Sequence, residues 1–499
     1  MHIHFVSEAP ACAEPFALAV LAREGAALSP EALRLDDLTQ GALVRALQAD
    51  RFTGAAGDVL DILAPYGVQA ARILVIGVGQ TETLTPGDVE IAAARACRAV
   101  ANSGLSDLVL DFGALPALSA HAALGVRLAA YRFDRYKTRE KPEKKPSLLR
   151  THVVVSAPDA AAQAYGPLAA LGDAVVFSRD LLSEPGNILY PDSFAERLKS
   201  FRALGLEIEI LDEAAMTALG MGALLGVGQG SVRESRLAVM KWKGAADPAA
   251  APVCFVGKGV CFDTGGISIK PSAGMEEMKT DMGGAAAAAG AMLALAGRKA
   301  RVNAVAVLGL VENMPDGNAQ RPGDVVTSMS GQTIEVLDTD AEGRLVLADA
   351  LWYAKETFKP RVIVDLATLT GAVIIALGME IAGLFSNDDD LARRLEAAGE
   401  ATREPVWRLP LPKSYERMID SRIADVKNLA GRPASSITAA LFLQRFVGDT
   451  PWAHLDIAAP VWSKDSKDPT LPDGATGYGV RLLDALATTY QDPSPAAEA

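Results

Sequence analysis

The sequence predicts an α/β protein of two domains, the second built on a mostly parallel, twisted sheet between helices. Three observations lead there. Short apolar runs of strand length alternate with longer helix-like segments along the whole chain. Its 499 residues are too many for one ordinary core. A basic, proline-broken stretch followed by an alanine-rich one divides the alternation into two blocks.

In order, His2–Val6 reads as a short strand and Ala71–Gly79, ARILVIGVG, as a buried one. Pro86–Asn102 reads as a helix, because Thr85 can cap it, proline suits its first position and Ser103-Gly104 can end it. Leu108–Phe112 is a strand, Ala117–Tyr131 a helix, and Thr151–Ser156 the strand that closes the block. Before that last strand, Arg135–Arg150 carries Pro142 and Pro146 among basic residues and reads as a mobile surface loop. From Asp159 to about Leu182 the pattern is helical, with a break expected at Gly166-Pro167. Residues 1–165 are therefore taken as the first domain and 166–499 as the second, bridged by the helical segment 159–182.

The second block gives strands at Leu206–Leu211, Ala238–Trp242, Val253–Val256, Val302–Leu308, Thr333–Leu337, Arg361–Leu366 and Trp452–Ile457. Helices are expected at Gly284–Leu295, Leu345–Glu356, Ser436–Phe446 and Gly479–Thr488. The tail Gln491–Ala499 is expected to fray.

Composition narrows the function. A net charge of −13 repels phosphate backbones and disfavours nucleic-acid binding. The four cysteines form no CxxC pair, no apolar run is long enough to span a membrane, and the N-terminus has no basic segment before an apolar run. A cytoplasmic protein with reduced thiols is expected. Its five histidines include no pair at helical spacing, so any metal would be held mainly by carboxylates.

The charges that need explaining lie among glycines and short apolar runs. They are Lys258, Asp263, Lys270 and Asp281 in one stretch, and Asp340, Glu342 and Arg344 in another. Sheets of this class place their sites beyond the carboxyl ends of strands, and Lys258 and Asp340 are each expected to follow one. If the chain stays extended after Asp340, Asp340 and Glu342 point the same way, and Gly343 then turns it into a helix. Four converging carboxylates, in pairs about 5 Å apart, would repel by roughly 3 kcal/mol a pair at an effective dielectric near 20. Two divalent ions would neutralise them, with Mn²⁺, Mg²⁺ and Zn²⁺ all suited. The competing reading is a buried ion network in which Lys258, Lys270 and Arg344 pair with the acids. A phosphate loop is disfavoured, because Gly257–Gly259 lacks the GxxxxGK[ST] order.

These residues lie in longer motifs. VGKGVCFDTGGISIKPSAGMEEMKTDMGGAAA, from Val256, resembles the first signature of the leucyl (cytosol) aminopeptidase family. ENMPDGNAQRPGDVVTSMSGQTIEVLDTDAEGRLVLADAL, Glu312–Leu351, resembles the second. MGALLGVGQGS from Met221, DLATLTGA from Asp365, SSITAALFLQRFV from Ser435 and WAHLDIA from Trp452 add to it. The resemblance implies a macro-domain-like N-terminal α/β domain and a C-terminal zinc-peptidase α/β/α sandwich. It also implies a homohexamer, a dimer of trimers, that releases N-terminal residues from peptides, leucine and other apolar residues preferred.

Carried onto this chain, the resemblance implies two divalent ions, Mn²⁺ or Zn²⁺, that activate water. Lys258, Asp263, Asp281 and Glu342 would hold the tighter one, and Asp263, Asp340 and Glu342 the more exchangeable one. Lys258 must then be neutral, which costs about 4–5 kcal/mol at pH 7 from a free pKa near 10.4. Lys270 and Arg344 would be the catalytic pair, Lys270 for the oxyanion and Arg344 for a bicarbonate general base. Met278, Leu369 and Ala458 would line the substrate. The chain departs from the family pattern at Asp338, where asparagine is usual, and at Ser435 and Ala459, where glycine is common; capping of the turn is the reading favoured for Asp338. The alternative function is a hexameric assembly or DNA-binding relative without catalysis. All seven functional positions are present, which favours the enzyme.

Overall fold

The computed structural model describes residues 1–10, 14–80, 84–113 and 118–492. Cys12, Ala117 and the tail beyond residue 492 lie outside them. Contacts divide the chain into two units, Met1–Gly172 with Asp465–Asp473, and Asp173–Lys464 with the segment from Gly474 onward.

The first unit holds seven strands: β1 His2–Val6, β2 Phe16–Arg23, β3 Ala27–Leu28, β4 Val59–Leu63, β5 Arg72–Gly77, β6 Asp107–Leu110 and β7 Arg150–Val154. Their order is β1-β7-β6-β2-β5-β4, with β3 alongside β2. The helix Pro86–Val100 starts where expected: Thr85 and Asp88 form a reciprocal capping box and Pro86 fills the first turn. β2 was not among the expected strands, although it lies at the centre of the sheet between β6 and β5. Its sequence FALAVLAR is buried at every position but the last, so it carries no period-two signal, and its Ala and Leu read equally as helix. The expected break at Gly166-Pro167 does not occur; one helix runs Pro158–Ser183 with Pro167 inside it. Gly166, lacking a Cβ, removes one of the clashes that proline imposes on its predecessor. Cys97, Cys254 and Cys261 are free and buried.

The second unit carries β8 Glu207–Leu211, β9 Arg236–Lys243, β10 Val253–Asp263, β11 Asn303–Asn313, β12 Val325–Thr327, β13 Thr333–Glu335, β14 Val362–Ala367, β15 Ala382–Ser386, β16 Val406–Arg408, β17 Val426–Lys427 and β18 Trp452–Asp456. Eight of them form one sheet, β16-β15-β18-β14-β10-β11-β9-β8. Its central strands β18, β14, β10 and β11 are mutually parallel, while β9, β8 and β15 join antiparallel. The wholly apolar helix Gly283–Gly297 packs on this sheet and is buried along nearly its whole length.

Two expectations about the charged stretches are corrected here. Lys258 does not follow a strand: β10 runs on through it to Asp263. Gly257 and Gly259, just past the expected strand Val253–Val256, continue it and serve close packing. A Cβ on Gly257 would lie 2.5 Å from Ala285 Cα, and one on Gly259 2.6 Å from the Gly309 carbonyl oxygen. Nor does Asp340 follow a strand of the main sheet. β13 belongs to a separate small sheet, β12-β13-β17, and the chain is already turning at Asp340.

The last helix, Val480–Thr488, shows how burial couples to pH. Buried Glu404 accepts from the Gly479 and Leu482 amides at 3.1 and 2.8 Å. Burial pushes its carboxyl up to about 7, with Arg481 and these amides pulling back. A raised carboxyl pKa makes the folded state the better proton binder. Its stabilisation is complete below the free-chain value of 4.5 and is lost as pH rises through about 7. The loss is on the order of 3 kcal/mol. Glu404→Gln is therefore expected to flatten the decline of the urea midpoint across that window, and parallel curves for both proteins would sink the assignment.

Candidate metal centre

The site forms at the carboxyl ends of the four parallel strands. Asp263 ends β10, Asn313 ends β11 beside it in register, Thr368 follows β14, and Asp456 ends β18. The helices Gly283–Gly297 and Gly343–Phe358 start next to Asp281 and Glu342, so their amino ends face the acids.

Lys258 lies buried among three partners. Its Nζ donates to Asp281 Oδ1 at 2.7 Å and to the Thr368 carbonyl at 2.8 Å, and lies 2.8 Å from Glu342 Oε1. Gly343 leaves room for this side chain, since a Cβ there would meet Lys258 Cε, Cδ and Nζ at 2.6–2.8 Å. Lys270 bridges Asp263 Oδ2 at 2.8 Å and Asp340 Oδ1 at 2.5 Å. One carboxylate oxygen each from Asp263, Asp340 and Glu342 lies within 4.8 Å of the others.

The buried-network reading is met in part: both lysines pair with the acids, but among the described residues Arg344 forms no ion pair. Its Nη1 donates to the Asn428 carbonyl at 2.7 Å, and its buried Nε has no partner. Burial drives the guanidinium down to about 10, with Glu342, Asp456 and Asp338 opposing.

The cluster is short of positive charge. Four carboxylates face two ammonium groups. Asp281 Oδ2 and Glu342 Oε1 are buried without a hydrogen-bond partner, even though the latter is close to Lys258. Burial, then Glu342 and Asp263, push Asp281 well above the usual carboxylate range, while Lys258 pulls it back. Burial raises Asp340 to about 6, against the pull of Lys270. Burial works against the charge on Lys258, but Asp281, Glu342 and Asp263 outweigh it and hold the ammonium protonated. Orphaned buried oxygens of hard carboxylates fit divalent cations.

Asp340 and Glu342 come together by a turn and not by an extended chain. Asp338 Oδ1 accepts from the Asp340 amide at 2.9 Å, and Glu342 is already helical in its backbone angles. Either an aspartate or an asparagine supplies that oxygen, so Asp338 is accommodated as a turn cap. Leu369 and Ala458 meet at Asp456 Oδ1, which accepts from both amides at 3.2 and 3.3 Å. Met278 is half-buried in the 3₁₀ turn Met275–Thr280 that leads into Asp281. Ala459 is buried, and Ser435 opens the helix Ser435–Gln444 after Ala434, which has positive φ.

Several supporting residues were not anticipated. Asn313 Nδ2 donates to Asp263 Oδ1 and to the Thr339 carbonyl at 2.8 and 3.0 Å. Thr339 Oγ1 donates to the Gly265 carbonyl at 2.6 Å, and Thr368 Oγ1 to Asp281 Oδ1 at 2.7 Å. Asn313, Thr339 and Thr368 sit inside the motifs quoted above, where their hydroxyls and amide were the available signal. Asn428 sits in none of them.

A mixed α/β sheet with carboxylates clustered at the carboxyl ends of its parallel strands, one lysine inside β10 and one beyond it, fits a carboxylate-rich metalloenzyme. Family models agree: residues 176–484 match the catalytic domain of the cytosol aminopeptidase family and residues 19–140 its N-terminal domain. A probable cytosol aminopeptidase of Caulobacter vibrioides is 65% identical over 98% of this chain and 100% of its own length. Another, from Nitrobacter winogradskyi, is 54% identical over 91% of each. Among solved structures, a tomato leucine aminopeptidase mutant superposes with a TM-score of 0.88 at 32% identity, covering 98% of this chain and 96% of that one. The bottromycin maturation enzyme BotP in complex with Mn gives 0.83 at 34%, covering 95% and 99%. The chain belongs to the cytosol aminopeptidase family and is a metallo-aminopeptidase. Among the described residues no helix is long and apolar enough to cross a membrane.

Proposed function

We propose that this aminopeptidase works with two divalent ions, Mn²⁺ or Zn²⁺, and prefers leucine and other apolar N-terminal residues. The observation that carries it is the buried Asp281 Oδ2, which has no hydrogen-bond partner, beside Glu342 Oε1, which has the Lys258 ammonium at 2.8 Å but no hydrogen bond, in a cluster with more carboxylates than ammonium groups. Lys258, Asp263, Asp281 and Glu342 would hold one ion, and Asp263, Asp340 and Glu342 the other. When bound, such ions polarise a carbonyl and lower the pKa of water.

The chain's own residues supply the rest. Lys258 would serve as a neutral amine: the proton its three acids keep on it leaves once stronger positive charge occupies them. Lys270, 19% exposed, keeps its ammonium and donates to the oxyanion that develops on the scissile carbonyl. Arg344 would hold a planar anion through its guanidinium edge, whose Nε has no partner, and bicarbonate as general base matches that fork. The main chain at Leu369 would fix the substrate backbone, with Met278 and Ala458 beside the side chain. Residues 1–165 and 166–499 would form the two domains of a cytoplasmic homohexamer, a dimer of trimers.

Hydrolysis of Leu-p-nitroanilide with Mn²⁺ is expected, with metal analysis giving two ions per chain and light scattering six chains. Chelation should abolish turnover, added Mn²⁺ should restore it, and N-acetylated peptides should not be cleaved. Turnover by the metal-free protein would refute the mechanism, and equal rates on acetylated peptides would refute the exopeptidase reading.

A further inference from the structure

We propose that Asn428 is a positioning residue that locks the loop bearing Asp340 and Glu342 and the Arg344 guanidinium into one register. Asn428 is fully buried, directly after β17, outside both acid-bearing motifs. Its Oδ1 accepts from the Leu337 and Asp338 amides at 2.8 and 3.4 Å. Its Nδ2 donates to the Asp338 and Ala341 carbonyls at 2.7 and 3.3 Å. Its own amide donates to the Glu335 carbonyl at 3.0 Å, and its own carbonyl accepts from Arg344 Nη1 at 2.7 Å. One residue thus grips the loop ahead of Asp340, between Asp340 and Glu342, and at the arginine that follows them.

The chemistry needs an amide. Two N–H groups face one side of the side chain and two carbonyls the other, so an acceptor and a donor must sit on one short planar group. Aspartate would set a carboxylate against two carbonyls, and a hydrocarbon would remove the partner of the Leu337 and Asp338 amides and of the buried Ala341 carbonyl, leaving the Asp338 carbonyl only the Ala341 amide. The pairing Ile334↔Val426 and Glu335↔Lys427 brings this remote segment to the loop, so the small sheet acts as the frame for the acids. Partners that hold ligand-bearing groups typically shift metal affinity or activity by about 10–100-fold when removed.

The inference rests on the proposed ion site, and its test separates the two. Mn²⁺ is titrated into chelator-treated full-length protein, followed by electron paramagnetic resonance of the free ion, at a temperature where circular dichroism shows each variant folded. Asn428→Asp is expected to weaken Mn²⁺ binding about 10–100-fold and to lower kcat more than it raises KM. Asn428→Ala, which keeps the carbonyl to Arg344 and adds no charge, carries the same expectation for Mn²⁺ should the aspartate variant not fold. Unchanged Mn²⁺ affinity in either folded variant overturns the positioning role. Wild-type protein that binds no Mn²⁺ would instead overturn the reading of the site, and the proposal with it.

Discussion

Replacing Lys270 with alanine should lower kcat roughly 10²–10³-fold, the scale for removing one donor to an oxyanion, and should leave the content of the proposed ions unchanged. The two lysines of the site are not equivalent. Lys258 is 3% exposed and enclosed by two acids and a carbonyl, whereas Lys270 is 19% exposed and pairs with Asp263 and Asp340. An ammonium at the mouth can face substrate and charge that appears only in the transition state, so its loss falls on kcat and hardly on KM. Removing it also takes one cation from an acid-rich cluster, which makes bound ions more necessary to that cluster, not less. The check is metal content and steady-state kinetics on the same preparation. If both ions were lost from Lys270→Ala, the roles of the two lysines would have to be exchanged.

The sequence disclosed the acids better than their geometry. Charges among glycines marked two stretches that the fold brings together, because desolvated charge has to be compensated wherever it lies. The strand expected to end at Val256 runs on through Gly257 and Gly259, which are close approaches within a continuous eleven-residue strand. The turn at Asp340 was legible only through Asp338, read as its cap: one side-chain oxygen bends the chain, a local bond that leaves no periodicity. Asn428 was illegible for a different reason. Its partners are about 90 residues away in sequence, and only the register of two short parallel strands brings them together. β2 shows the same limit in the first unit, where full burial erased the alternation that identifies a strand.

Asp263→Asn should be the most damaging single substitution for activity, and one of the least damaging to the fold. Asparagine keeps the oxygen that accepts from the Gly265 amide at 2.9 Å and from Asn313 Nδ2 at 2.8 Å, so the loop after β10 stays in place. What it loses is charge, and with it the acceptor that meets the Lys270 ammonium at 2.8 Å. Asp263 is the ligand proposed to serve both ions together with Glu342, so the change weakens both positions, and activity should fall by more than roughly 10³-fold. The metal-free protein responds the other way. Like charges about 5 Å apart repel by roughly 3 kcal/mol a pair at an effective dielectric near 20, and removing one relieves that repulsion while Lys270 keeps Asp340. The melting temperature without metal should therefore hold or rise. Wild-type protein at a hundredfold excess over the ion's dissociation constant should gain about 2.7 kcal/mol from binding, and Asp263→Asn should gain almost none. A variant that is stabilised by Mn²⁺ as much as wild type would show that Asp263 is not a shared ligand, and the site would have to be rebuilt around Asp281, Asp340 and Glu342.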